Sequence, residues 1–124
     1  VDMVMLKDNH VDYAGGVRQA IEATHAYLKA TGREHLKIEV ETRTLAEVEE
    51  ALATGGIHRI MFDNYPLEQL RQGVALVAGR VETEASGGIT DATIRPIAET
   101  DVDFISVGAL THSAGSMDLS LKAF

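Results

Sequence analysis

Residues 36–63, LKIEVETRTLAEVEEALATGGIHRIMFD, decide the fold. Leu36 to Glu41 reads as a strand, with Ile38 and Val40 alternating with Lys37, Glu39 and Glu41. Thr44 then stands as a helix N-cap with Glu47 at capping-box spacing, and Leu45, Val48 and Leu52 line one helical face. Gly55-Gly56 stop the helix, and a second apolar run from Arg59 to Phe62 ends on Asp63. Strands joined by a crossover helix lie parallel.

The same rhythm extends in both directions. Upstream, Val1 to Leu6 is strand-like and KDNH (7–10) reads as a polar loop. Gly15-Gly16 precede a helix with apolar positions Val17, Ala20, Ile21, Tyr27 and Leu28, stopped at Gly32. Downstream, Pro66 opens a helix carrying Leu67, Leu70, Val74 and Val77. Val81 to Ala85 is a fourth strand, and Thr90 caps a short helix with Ile94 and Ile97. Val102 to Val107 is a fifth strand, and the tail from Met117 to Phe124 is expected to pack back as a short helix. Strand starts after the second lie roughly 22 residues apart, as repeated βα units require. An antiparallel α+β domain is the alternative, and it leaves that rhythm unexplained.

A complete (β/α)₈ barrel takes about 250 residues, and this chain has 124, of which 45% are hydrophobic and 24% charged. The expected fold is therefore α/β: a parallel (β/α) barrel fragment of about five strands, an incomplete TIM-like barrel. Such a fragment leaves two sheet edges open, which invites pairing with another chain. The chain starts on Val1, inside an apolar run, and is expected to be a piece of a longer protein. A net charge of −8 argues against nucleic-acid partners and anionic membrane surfaces. With no cysteine there is neither a disulfide nor a thiolate metal site. No apolar run approaches the roughly 20 residues of a bilayer span, and no signal-peptide pattern is present, so a cytoplasmic setting is expected.

In parallel β/α folds the loops after the strands build the active site. Here the five runs end on Lys7, Glu41, Asp63, Ser86 and Gly108. Ser86-Gly87-Gly88 lets backbone N–H groups approach an anion, Gly108-Ala109 repeats the device one strand later, and His112 adds a donor. Either glycine pair alone reads more simply as a tight turn; both on adjacent strand ends favour a phosphate site. Glu41 and Asp63 can share Mg²⁺ with substrate phosphates, bind sugar hydroxyls or stabilise developing positive charge. Alternatively Glu41 joins Glu39 in a solvated charge pattern, and Asp63-Asn64 is only a turn. Lys7 offers a mobile cation to carboxylate or phosphate, or sits on a surface loop. The five scattered histidines offer no compact ligand set.

LKDNH (6–10), IEVET (38–42), MFDNY (61–65), EASGGI (84–89), VDFISVGALTHS (102–113) and DLSLKAF (118–124) form a set. In order and spacing they resemble quinolinate phosphoribosyltransferases, also called nicotinate-nucleotide pyrophosphorylases, across essentially the whole chain. The resemblance is to the C-terminal portion of that family's α/β-barrel domain, over 1–124. It implies conversion of quinolinate and phosphoribosyl pyrophosphate to nicotinate mononucleotide, pyrophosphate and CO₂ in NAD biosynthesis, with Mg²⁺, in a homodimer or higher homo-oligomer. It implies catalytic roles for Lys7, Glu41 and Asp63, with Glu41 and Asp63 near the metal. Lys7, Ser86, Gly87, Gly88, Gly108, Ala109 and His112 match the family's positions for the anionic substrates and phosphate. The family's N-terminal sandwich and first barrel strands, with the quinolinate-recognising basic residues, have no counterpart here, so the 124 residues alone are expected to show no turnover. A related barrel phosphoribosyltransferase with another base, or a non-catalytic phosphate-binding module, remains open on the sequence.

Overall fold

The computed structural model describes residues 3–112 and 115–122, with side-chain surroundings described from Met3 to Val107. Six strands form one sheet in chain order: β1 (Met3–Leu6), β2 (Lys37–Thr42), β3 (Arg59–Asp63), β4 (Glu82–Ser86), β5 (Phe104–His112) and β6 (Gly115–Lys122). The first five run parallel and β6 returns antiparallel. Between them lie α1 (Asp8–Ala14), α2 (Val17–Ala30), α3 (Leu45–Thr54), α4 (Leu67–Val77) and α5 (Ile94–Ala98). The α/β expectation holds, with five parallel strands in one sheet.

Alternation divides each strand between two faces. Ile38 and Val40, Ile60 and Phe62, Ala85, Ile105 and Val107 lie on one face and are buried with Val17, Ile21, Val48, Leu70 and Val77 of the helices. This is the core. The Thr44 cap reads as expected: its side chain accepts from the Glu47 N–H. Tyr27 departs from its expected place in the apolar stripe of α2. It is exposed, with its hydroxyl 2.9 Å from Arg33 Nη2 and the guanidinium stacked on its ring.

Three expectations are corrected. The polar loop read at KDNH is, beyond Lys7, the first turn of α1, which sinks Val11 into the core and ends on Gly15 in the left-handed conformation. The tail read as a helix is strand β6 as far as Lys122, and residues 123–124 lie outside the described residues. Met117, Leu119 and Leu121 alternate with Ser116, Asp118, Ser120 and Lys122, and that period of two suits the edge of a sheet. The fifth strand does not end at Val107: it continues to His112, so Gly108 and Ala109 lie within β5, at a break of register between Val107 and Leu110.

Candidate functional site at the carboxyl ends of the parallel strands

Register brings the candidate residues to one rim. Glu41 lies opposite Met61; Asp63 lies opposite Ser86, which in turn lies opposite Ser106. These positions differ by even steps, so Glu41, Asp63, Ser86 and Ser106 share the face away from the helices. Leu6 pairs with Val40, which puts Lys7 in the row of Glu41. Lys7 is exposed and occupies the N-cap position of α1 in extended backbone. The cation, two carboxylates and hydroxyl singled out in the sequence thus line one edge.

Glu41 has a second task. Its Oε1 accepts the Asp8 N–H at 2.9 Å, so the carboxylate caps α1 from a neighbouring strand. One oxygen is committed to fixing the residue that follows Lys7, and the other accepts no hydrogen bond among the described residues.

The glycine turn after β4 is built differently from its sequence reading. Gly87 and Gly88 have φ of +81° and +64°, a conformation that favours glycine. A Cβ on Gly87 would lie 2.8 Å from Asn64 Oδ1 and 3.1 Å from Asn64 N. The missing side chain therefore makes room for Asn64. Asn64, itself left-handed at φ +57°, donates its N–H to the Ser86 carbonyl at 2.8 Å. The turns after β3 and β4 interlock at this point, and Asp63 and Ser86 are placed together.

Tyr65 ties the same turn to β2. Its hydroxyl lies 2.9 Å from the Thr44 carbonyl and 2.8 Å from Thr42 Oγ1, while Thr42 donates to the Met61 carbonyl. Burial, before all else, pushes the Tyr65 phenol up to about 12. Its ring meets Phe62 edge-on at 5.1 Å. Asn64 was visible in MFDNY only as a turn residue and Tyr65 only as a member of that string; nothing local marks them as supports for Asp63.

Below the rim the same face carries a second polar layer that the sequence concealed. Glu39, read alternatively as part of a solvated charge pattern, is 3% exposed. Arg59 pairs with Glu82 at 2.9 Å and Glu84 at 3.5 Å, and its guanidinium stacks 4.0 Å from the Phe104 ring centre. Glu39 Oε2 has no hydrogen-bond partner among the described residues. Burial first, and then Glu84 beside it, pushes the Glu39 carboxyl up to about 8.

The donor set bears on Mg²⁺. Among the described residues no group of three or more His, Cys, Asp or Glu side chains could hold a metal ion. Mg²⁺ is commonly held by one or two carboxylates together with waters and substrate phosphates. The second oxygen of Glu41 and the Asp63 carboxylate fit that mode and not a dedicated cage. Gly108, Ala109 and His112 stand on β5 and not in a loop, and their side-chain surroundings lie outside the described residues.

A parallel β/α sheet with a cation, two carboxylates and a glycine turn along its carboxyl rim is the arrangement of a barrel-type β/α chain. The family profile described as quinolinate phosphoribosyl transferase, C-terminal domain, matches residues 1–122. The chain belongs to that family. It is 48% identical to a chloroplastic nicotinate-nucleotide pyrophosphorylase (carboxylating) of Arabidopsis thaliana, over 98% of this chain and 38% of that protein. It is 40% identical to a probable nicotinate-nucleotide pyrophosphorylase (carboxylating) of Bacillus subtilis, over 97% of this chain and 40% of that protein. The solved nicotinate-nucleotide pyrophosphorylase of Francisella tularensis, 33% identical, superposes with a TM-score of 0.79 over 96% of this chain and 41% of that one. The chain thus spans about two-fifths of the relatives it matches.

Proposed function

We propose that this chain supplies the ribose- and phosphate-binding half of a quinolinate phosphoribosyltransferase site. Quinolinate and phosphoribosyl pyrophosphate would become nicotinate mononucleotide, pyrophosphate and CO₂. The single observation that carries the reading is the convergence of Lys7, Glu41, Asp63 and Ser86 on one rim, in a chain of this family. The quinolinate-binding groups, the N-terminal sandwich and the first barrel strands belong to the rest of the protein. The same proposal includes a homodimer or higher oligomer and a cytoplasmic setting. Among the described residues no helix is long and apolar enough to cross a membrane.

Each group has a task set by its chemistry. Lys7 presents an ammonium to the anionic substrates. As the bond from ribose C1 to pyrophosphate breaks, positive charge grows on the sugar, and fixed carboxylates at Glu41 and Asp63 stabilise it electrostatically. Because Glu41 is already held by the Asp8 N–H, little reorganisation is needed as that charge develops. The Ser86 hydroxyl and the left-handed Gly87-Gly88 backbone offer donors to the phosphate. Mg²⁺, held by Asp63 and Glu41 with substrate oxygens, would neutralise the departing pyrophosphate.

Calorimetric titration of the full-length protein tests the proposal, with phosphoribosyl pyrophosphate plus Mg²⁺ and, separately, with quinolinate. Both are expected to bind, and Asp63→Asn is expected to weaken the first and spare the second. Phosphoribosyl pyrophosphate binding that is indifferent to Asp63→Asn and Glu41→Gln overturns it.

A further inference from the structure

We infer that Arg43 is a positioning residue: it straps α1 to α3 and so sets Lys7 against Glu41 for the phosphoribosyl donor. The inference rests on the proposed function and adds a residue to it. Lys7 belongs to no rigid strand; it joins β1 to α1, a helix that buries only Val11. Gly15-Gly16 separate α1 from α2, whose first turn is held independently through the Arg18 N–H to Glu50 Oε2 at 2.9 Å. Beyond the buried Val11 and the half-buried Ala14, what fixes α1 is tertiary and polar. At its start the Asp8 N–H is held by Glu41. One turn further on, Arg43 grips Asp12 with two hydrogen bonds, 3.1 and 2.8 Å long.

Arg43 is itself anchored. Its backbone N–H donates to Glu47 Oε1 at 2.6 Å and its Nη2 to Glu47 Oε2 at 2.9 Å, inside the capping arrangement that starts α3. An isolated surface pair is worth little, but bidentate geometry and a network of three charges are the conditions under which such a contact counts. Arg43 follows Glu41 by two residues. The strap and the cap therefore clamp α1 from one short stretch of chain, and Lys7 sits at the clamped end.

The test is a pair of thermodynamic cycles on the full-length protein, reading the Kd of phosphoribosyl pyrophosphate by calorimetry. Arg43→Ala and Asp12→Asn are each expected to weaken binding about two- to fivefold. Arg43→Lys, which keeps the charge and loses the fork, is expected to recover part of that loss. In a Lys7→Ala background the same substitutions are expected to add almost nothing, because they act through Lys7. Hydrogen exchange at the Asp8 amide is expected to quicken in Asp12→Asn, with β2 and β3 amides unchanged; this variant keeps the Arg43–Glu47 anchor should Arg43→Ala fail to fold. If Lys7→Ala leaves the Kd unchanged, the proposed site itself fails and the strap falls with it. If Lys7→Ala weakens binding while the Arg43 and Asp12 effects are absent or fully additive, the strap alone is overturned.

Discussion

Gly87→Ala should be among the most damaging small substitutions at the rim, and Gly79→Ala provides its control. Both glycines have left-handed backbone, φ +81° and +75°, which costs an alanine about 1–2 kcal/mol. Both gain the same stabilisation, about 0.4–1 kcal/mol, from a stiffer unfolded chain. They differ in what a methyl group would meet. At Gly79 nothing lies within 4 Å, whereas at Gly87 the Cβ falls 2.8 Å from Asn64 Oδ1 and 3.1 Å from its backbone nitrogen. Asn64 cannot retreat freely, since its N–H is bonded to the Ser86 carbonyl at 2.8 Å. Relieving the overlap should cost a further ~1–3 kcal/mol, the range for overpacked sites. Urea unfolding followed by far-ultraviolet circular dichroism measures the difference as a lower midpoint for Gly87→Ala than for Gly79→Ala at unchanged slope. Adding Asn64→Gly, which removes the side chain and tolerates φ +57°, should recover a large part of the excess. Equal midpoints for the two alanine variants, or no recovery in the double variant, would refute the interlocked turns.

Glu41→Gln keeps an oxygen for the Asp8 N–H but loses the charge, so stability should hold while kcat falls about 10²–10³-fold; Glu41→Ala should also cost about 1 kcal/mol in unfolding, as a lost helix cap does. Tyr65→Phe removes the hydroxyl shared by Thr42 and Thr44 and should destabilise by ~1–2 kcal/mol, read as a lower urea midpoint. The raised Glu39 carboxyl gives a pH signature. Between its ordinary 4.5 and about 8 the unfolded chain releases a proton that the folded chain keeps, so stability should fall as pH rises, by up to ~1.4 kcal/mol per unit. The contribution is fully present below 4.5, lost through about 8, and absent from Glu39→Gln, so a wild-type stability that climbs relative to Glu39→Gln from pH 5 to 8 contradicts the burial argument. The isolated 124 residues should show no turnover in a phosphoribosyl-transfer assay, and robust transfer would place the whole site within this chain.

Much of the rim was legible because parallel strands deliver their last residues to one edge whatever the helices do. Lys7, Glu41, Asp63 and Ser86 were readable as the ends of short runs, and the register places them together. The supports were not readable in this way. Asp12, Arg43 and Glu47 are ordinary surface charges in the sequence, and only the approach of α1 to the turn that leads into α3 makes them a network. Gly108 and Ala109 resembled a loop because glycine marks turns as often as breaks of register within strands.

What the sequence determined alone is the alternation of strands and helices and the order of chemistry-bearing residues along it. Side-chain period and capping act between residues a few positions apart. The tertiary structure decided which carboxylates are at the rim and which are buried. Glu39 and Glu41 occupy equivalent places in the same alternating run, yet one is sealed with Glu84 and Arg59 while the other caps a helix beside Lys7. It also decided that Asn64 fills the space left by Gly87. Desolvation and close approach are set by neighbours far off in the chain, and no local pattern encodes them.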